Sequence, residues 1–178
     1  MISILIPTYN NLDYLKLCLK SLEKNSSFKH EIIIHINDGS DGTSDFIKAN
    51  NYKHTSSIDN IGLCTSINKA TKLVSNQYIL YSHDDMYFCP DWDKVLFHEV
   101  KSLDHDNFYL SGTMIEPNSG HIVYDFGINL DTFKEDLSLL TNFTFFGFFI
   151  FLFFLAFFFL GILFIFQVSL KSVYHIYP

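Results

Sequence analysis

The chain has 178 residues, a formal net charge of −7, 48% hydrophobic residues and 17% charged residues. This composition excludes an intrinsically disordered chain, which needs low hydrophobicity and high charge. The acidic balance argues against nucleic acid as a partner, because phosphate backbones are held mainly by Lys and Arg.

Short apolar runs alternate with amphipathic stretches along the first three quarters of the chain. The runs predict strands at 2–6, 31–37, 52–56, 77–82 and 108–114. We predict a first helix where one face carries Leu12, Leu15, Leu19 and Leu22. Three more helices are predicted at 43–48, within 60–74 and at 92–103, and Thr43 is the expected cap of the helix at 43–48. This alternation predicts an α/β fold with a mostly parallel sheet and flanking helices, whose ligands bind at the carboxyl ends of the strands.

The tripeptide His83-Asp84-Asp85 follows the fourth predicted strand. Adjacent carboxylates repel each other unless a cation neutralises them, and their hard oxygen atoms suit Mg²⁺ or Mn²⁺. A solvated acidic turn that binds nothing explains this tripeptide equally well.

The segment Asn37-Asp-Gly-Ser-Asp-Gly-Thr43 follows the second predicted strand. Its glycines permit a tight turn, and Asp38 can accept hydrogen bonds from a sugar hydroxyl or a base N–H. An ordinary Asp-Gly turn is the alternative. The segment lacks the Gly-Lys-Ser/Thr ending of phosphate-binding loops, and no GxGxxG follows the first strand.

Four segments together resemble one enzyme family. They are Ile4-Leu-Ile-Pro-Thr-Tyr-Asn10, Asn37-Asp-Gly-Ser-Asp-Gly-Thr43, Asn60-Ile-Gly62 with Asn68-Lys69, and Tyr78-Ile-Leu-Tyr-Ser-His-Asp-Asp85. In this order and spacing they resemble the family 2 glycosyltransferases, which have the GT-A fold, a Rossmann-like and mostly parallel sheet. The resemblance covers about residues 1–136.

The resemblance implies a site for a nucleotide-sugar donor and a divalent metal ion, Mg²⁺ or Mn²⁺. It implies that the nucleotide sugar is bound by Pro7, Thr8, Tyr9, Asn10, Asp38, Gly39, Ser40, Gly62, Asn68, Lys69 and Asp84. It implies Asp85 as the direct metal ligand, with His83 in the same metal motif.

Two positions depart from the family pattern. His83 stands where the family more often has Asp, so we expect a weaker or water-mediated metal contact. Ile67, just before Asn68, stands where many members have Arg, so we expect one contact to the donor diphosphate to be lost.

The resemblance also implies a catalytic base, a carboxylate well beyond the metal motif that takes the proton of the acceptor hydroxyl. In this chain a hydrophobic tail begins about 55 residues after Asp85, which leaves Glu116 and Asp125 as candidates. Neither residue matches the family motif. We therefore expect the acceptor-binding half to be absent and leave the catalytic residue unassigned.

The tail is rich in phenylalanine and free of charge. Residues 143–166 hold 13 of the 20 phenylalanines, and no charged residue lies between Leu137 and Leu170. A helix of this length extends about 36 Å, which is enough to span a membrane. We predict a single transmembrane helix there, with the globular part in the cytoplasm. A frame error near residue 140 of an A/T-rich gene is the alternative origin of this tract.

These predictions divide the chain into a GT-A-like domain (1–136), a linker (137–142), a membrane helix (143–166) and a short tail (167–178). The expected function is metal-assisted sugar transfer from a nucleotide sugar to a glycan or lipid-linked acceptor at a membrane. The alternative is a truncated or frame-shifted membrane protein that lacks catalysis and retains at most nucleotide binding.

Overall fold

Strands and helices alternate along the chain, as the apolar runs predict. A computed structural model describes residues 1–104, 108–112, 115–116, 122–123, 125–127, 129–135 and 167–170. The helices are Leu12–Asn25 (α1), Thr43–Ala49 (α2), Leu63–Ala70 (α3) and Trp92–Ser102 (α4). The strands are Ile2–Tyr9 (β1), Glu31–Asn37 (β2), Lys53–Ser57 (β3), Tyr78–Tyr81 (β4), Ile115–Glu116 (β5), Ile122–Val123 (β6) and Gln167–Leu170 (β7).

The main sheet has the strand order β3-β2-β1-β4-β7. Its first four strands are parallel, and β7 pairs with β4 in the antiparallel direction at the edge. The short strands β5 and β6 form a separate parallel pair. The prediction of an α/β fold with a mostly parallel sheet is therefore confirmed.

Strands β1 and β2 are buried on both faces of the sheet, which explains why their sequences are continuous apolar runs. On one face, Ile4 and Ile34 belong to the core cluster that also contains Leu15 and Leu19 of α1. On the other face, Leu5 and Ile33 pack with Ala70 of α3. Helices therefore cover both sides of the sheet and leave its carboxyl edge open.

The first strand is longer than predicted, because it continues through Pro7 to Tyr9. Pro7 is aligned with His35 of β2, whereas the pairing of β1 with β4 ends at Leu5. At Pro7 the strand therefore has a ladder on one side only, where a residue without an N–H is tolerated.

Thr43 does not cap α2, so that prediction is wrong. The N-cap position is Gly42, in a left-handed conformation, and Thr43 is the first helical residue. The Asp41 carboxylate accepts a hydrogen bond from the Thr43 backbone N–H at 3.1 Å. An aspartate two residues earlier thus supplies the acceptor that the helix needs.

The predicted strand at 108–114 is wrong for residues 108–112, which contain a single β-bridge at Leu110. The apolar side chains of this run pack against the core instead of forming a ladder. Leu110 is buried, and the ring of Phe108 lies 6.0 Å from that of Tyr78. The sheet edge beside β4 is occupied by β7.

The predicted membrane helix at 143–166 lies outside the described residues. Among the residues that are described, no helix is long and apolar enough to cross a membrane. Within the predicted tail, Gln167–Leu170 forms β7, with Gln167 opposite Tyr81 and Leu170 opposite Tyr78.

Candidate functional site

The strand register brings the ends of the four parallel strands, and the segments that follow them, together at the carboxyl edge of the sheet. Tyr9 at the end of β1 is aligned with Asn37 at the end of β2, and Asn37 with Ser57 at the end of β3. On the other side of β1, the last residue of β4, Tyr81, is aligned with Leu5. The acidic tripeptide that follows β4 therefore lies beside the loop that follows β1.

A cleft of about 300 Å³ opens where these loops meet. It lies where the strand order reverses, since β2 and β4 flank β1 on opposite sides, and open α/β sheets bind ligands at such points. Its walls are formed by Pro7, Thr8, Tyr9, Asn10, Asn11, Asn37, Asn60, Gly62, Leu63, His83 and Asp84.

Asn10 joins the turn after β1 to the turn after β2. Its Nδ2 donates to Asp38 Oδ2 at 2.8 Å and to Ser40 Oγ at 3.3 Å, and its Oδ1 accepts from the Gly39 N–H at 3.0 Å. Asn10 and Asp38 both have positive φ, 46° and 61°. Asparagine and aspartate tolerate this conformation better than most residues, which accounts for their presence at these two turns.

Asn37 connects the strand ends beneath the cleft. Its side chain is 4% exposed and donates to the Thr8 carbonyl at 3.2 Å and to Ser66 Oγ at 3.1 Å. Its Oδ1 accepts from the Ile61 N–H at 3.1 Å. The end of β1, the loop after β3 and helix α3 are thus fixed to one buried amide, whose polar atoms are paired as burial requires.

The two carboxylates of the acidic tripeptide have different surroundings. Asp84 is half-buried and accepts a hydrogen bond from Asn11 Nδ2 at 3.1 Å, whereas Asp85 is exposed. Burial raises the pKa of Asp84 above its usual range, the side chains of Thr8 and then Asn11 oppose this effect, and neighbouring Asp85 adds to the increase. The cleft therefore holds a carboxylate whose ionised form would be stabilised by a nearby cation.

His83 is held by the strand that precedes it. Its Nε2 lies 2.7 Å from the Tyr81 hydroxyl, and the two rings are 5.1 Å apart. Burial, with the nearby charges of Asp85 and Asp84, raises the pKa of Tyr81. Its hydroxyl therefore keeps its proton and can donate to the imidazole.

The carboxylates of the acidic tripeptide His83-Asp84-Asp85 suit a divalent ion that takes most of its other ligands from water and from the phosphates of a bound substrate. Within the described ranges, no three His, Cys, Asp or Glu side chains gather as a metal site. Mg²⁺ in phosphate sites takes one or two carboxylates, keeps several waters and binds the substrate phosphates. The exposed Asp85 beside the half-buried Asp84 meets that requirement.

The structure separates the residues predicted for the donor and the metal into three groups, while Asp85, the predicted metal ligand, is exposed next to Asp84 and does not line the cleft. Pro7, Thr8, Tyr9, Asn10, Gly62, His83 and Asp84 line the cleft. The turn of Asp38, Gly39 and Ser40 contacts Asn10 without lining the cleft. Asn68 and Lys69 lie further along α3, away from the cleft walls.

Ile67, which replaces the Arg of many family members, has a structural role. It packs against the core cluster formed by Leu5, Ile33 and Ala70.

Four cleft residues were missed by the sequence analysis as site residues: Asn11, Asn37, Asn60 and Leu63. Asn37 and Asn60 lie within the quoted motifs, so their position at strand ends was a usable signal. Asn11 also lies just beyond a strand end, but its contact with Asp84, 73 positions away, has no signal in the sequence.

Of the two carboxylates considered as the base, Asp125 is held in a local turn. It accepts from the Gly127 N–H at 3.0 Å and contacts Lys134 at 3.5 Å. The Gly127 bond, followed by the charge of Lys134, lowers the pKa of Asp125. A lowered pKa weakens a general base.

Comparison with solved structures identifies the fold. A Pyrobaculum calidifontis mannosyltransferase, PcManGT, solved with GDP-Man and Mn²⁺, is 16% identical with a TM-score of 0.55; the match covers 66% of this chain and 36% of that one. S. aureus TarS 1-349, solved with UDP, is 20% identical with a TM-score of 0.55, over 71% of this chain and 39% of that one. The chain thus spans well under half the length of these structures. At such identities the likeness establishes the GT-A fold alone.

A search of curated protein sequences finds no match to the chain. The model of the family described as "Glycosyl transferase family 2" matches residues 3–159, which is most of the chain. The chain therefore belongs to glycosyl transferase family 2.

Proposed function

We propose that the chain binds a nucleoside diphosphate sugar in the cleft between β1 and β4 and transfers its sugar to a hydroxyl acceptor. The observation that carries this proposal is the meeting of residues 7–11, at and just beyond the end of β1, with His83 and Asp84 at the point where the strand order reverses. PcManGT and TarS, which share this fold, were solved with GDP-Man and UDP respectively.

The cleft and the exposed turns beside it offer separate groups for the base and for the diphosphate. Tyr9 is 52% exposed at the rim, where its ring can stack on a nucleobase. The exposed carboxylate of Asp38, oriented by Asn10, can accept from a base N–H or a ribose hydroxyl. The diphosphate would then lie toward Asp84 and Asp85.

In the proposed reaction, the acceptor hydroxyl oxygen bonds to the anomeric carbon of the sugar. The bond from that carbon to the diphosphate oxygen breaks, and its electron pair leaves with the nucleoside diphosphate. The hydroxyl proton passes to a carboxylate base, which this proposal leaves unassigned. The cleft residues bind the donor and orient its anomeric carbon toward the acceptor.

Asp85 would hold the Mg²⁺ or Mn²⁺ ion, with Asp84 and His83 beside it. When bound, such an ion acts as a Lewis acid on the leaving diphosphate. Mn²⁺ is present in the PcManGT structure. Asp84 is hydrogen-bonded to Asn11 and His83 to Tyr81. The exposed Asp85 would therefore be the ligand that binds the ion directly.

Titration calorimetry of the full chain with UDP and with GDP, in Mn²⁺ and in EDTA, tests this proposal. We expect one nucleotide to bind in Mn²⁺ and to bind at least about tenfold more weakly in EDTA, because the ion screens the diphosphate from the two carboxylates. Asp85→Asn should reduce the difference between Mn²⁺ and EDTA.

The matched control is Asp45→Asn, the same change at an exposed position on α2. It should bind as the wild type does. Binding of neither nucleotide would overturn the proposal. Nucleotide binding without release of nucleoside diphosphate from any donor sugar would favour the non-catalytic alternative.

We further propose that the Phe-rich segment 143–166 holds the enzyme at the cytoplasmic side of a membrane, where a lipid-linked acceptor would be available. Both flanks of this segment join the same folded unit. Glu135 contacts Lys24 and Tyr87, and β7 pairs with β4. If the chain is attached to a membrane, these contacts would place Glu135 and residues 167–170 on the same side of it.

Protease treatment of sealed vesicles tests this arrangement, with one epitope tag before Met1 and another after Pro178. Digestion of both tags together, with the chain still bound to the vesicles, is expected. Protection of one tag alone would show a single crossing, and failure to float with vesicles would refute membrane attachment.

A further inference from the structure

The first helix does not use the side chain of its own N-cap residue. Asn11 occupies the N-cap position of α1 and makes no side-chain capping bond. Asparagine at this position normally accepts a bond from the second or third helical N–H. The N–H of Leu12, the first helical residue, donates to Asp41 Oδ2 at 2.9 Å, so a residue from outside the helix serves this end.

The Asn11 side chain reaches across the cleft to the acidic tripeptide. Its Nδ2 donates to Asp84 Oδ1 at 3.1 Å, between residues 73 positions apart. Both residues line the cleft, one after β1 and the other after β4. A bond from an amide to an ionised carboxylate is stronger than a bond between neutral groups, and it fixes the direction of the carboxylate.

We infer that Asn11 is a positioning residue for the donor site, which sets the orientation of Asp84 and through it the place of the metal–diphosphate pair. This role rests on the proposed function. It explains why an asparagine stands at the start of α1 although Asp41 serves the helix end.

Two substitutions separate this role from helix capping. Asn11→Ala removes the bond to Asp84, and we expect UDP, or GDP if the wild type prefers it, to bind about five- to tenfold more weakly in Mn²⁺. Asn11→Asp restores a good N-cap residue but places a second negative charge against Asp84. It should therefore bind more weakly than Asn11→Ala, whereas a capping role would make it the better variant.

A double-mutant cycle shows whether Asn11 acts through Asp84 or touches the ligand itself. In an Asp84→Ala background, Asn11→Ala should change the dissociation constant by less than about twofold, because its partner is gone. An undiminished effect in that background would mean a direct ligand contact and would overturn the inference.

The matched control is Asn50→Ala, which removes an exposed amide bonded to its own helix at Phe46. It should bind as the wild type does. Thermal melting of each variant confirms that the chain is folded. Unchanged binding by Asn11→Ala, or better binding by Asn11→Asp, overturns the role of Asn11 while wild-type binding stands. Absence of binding by the wild type overturns the proposed function and this role together.

Discussion

The side-chain amide of Asn10 donates to the carboxylate of Asp38 at 2.8 Å, across two strand ends that are 28 positions apart in sequence. Both residues have a left-handed backbone conformation, which few other residues adopt, and the bond joins the two turns in which they lie. The geometry beside the cleft is therefore held by side chains as well as by the sheet.

We predict that Asn10→Ala lowers the free energy of unfolding by about 2 kcal/mol, from roughly 1 kcal/mol of backbone strain and a similar loss of hydrogen bonding. Asn10→Gly removes the strain and loses only the bonds, so it should cost about half as much. Urea unfolding of the two variants measures both values. Equal losses would show that the left-handed conformation of Asn10 carries no strain penalty for alanine.

The second prediction concerns Asp41, which serves two helix starts. Its Oδ2 accepts from the Leu12 N–H at 2.9 Å and its Oδ1 from the Thr43 N–H at 3.1 Å. Burial works to raise the pKa of Asp41, but the bonds from Thr43 and Leu12 outweigh it and lower the pKa. Asp41→Ala should therefore lower the free energy of unfolding by about 1–2 kcal/mol, as expected for lost caps.

Urea unfolding also checks this value, with Asp59→Ala as the control. Asp59 is an exposed aspartate after β3, so its loss should change stability by less than about 0.5 kcal/mol. A similar small change for Asp41→Ala would mean that water replaces the carboxylate at both helix starts.

The elements that the sequence predicts well are those decided by local pattern. The continuous apolar run of β2 and the leucine spacing of α1 need no knowledge of distant residues, because each depends on burial of its own face. The glycosyltransferase resemblance likewise follows from short segments at strand ends.

The features that sequence analysis missed depend on contacts between distant segments. The Asn11–Asp84 bond joins residues 73 positions apart, and the place of Pro7 inside β1 depends on where the pairing with β4 ends. At 108–114 the apolar pattern was present, but packing against the core took the place of strand pairing. Tertiary context decides such cases, since an apolar run indicates that a segment is buried but does not indicate which element it packs against.

The third prediction is a pH dependence that originates at Glu31, at the opposite edge of the sheet from the cleft. Glu31 accepts from Lys53 at 2.7 Å, from the Ser75 N–H at 3.0 Å, and from the Ser3 hydroxyl. Burial works to raise the pKa of Glu31, but the bonds from Lys53, Ser3 and Ser75 outweigh it and lower the pKa to about 2 from 4.5.

Because the folded pKa lies below the ordinary value, the ionised form stabilises the fold above pH 4.5, and this contribution is lost as the pH falls toward 2. Glu31→Gln should be less stable than the wild type by on the order of 2 kcal/mol near neutral pH. Urea titrations between about pH 5.5 and 3.5 should show this difference shrinking. The same change at exposed Glu23 of α1 is the control, and a constant Glu31→Gln difference would contradict the prediction.

The last prediction compares two glycines that share a positive φ but differ in the space around them. Gly39 (φ 80°) follows Asp38, and a Cβ there would lie 2.6 Å from Ile36 Cγ2, whereas a Cβ at Gly62 (φ 78°) would have no atom within 4 Å. Ile36 is fully buried and cannot move aside without disturbing the core. With ψ at 164°, Gly62 lies in a backbone region that glycine alone adopts readily. Gly62→Ala should therefore cost only this backbone strain, about 2 kcal/mol, whereas Gly39→Ala adds a clash with Ile36 and should cost about 3 kcal/mol or more. Urea unfolding of both variants measures the difference, and equal losses would mean that the turn after β2 shifts to admit the methyl group.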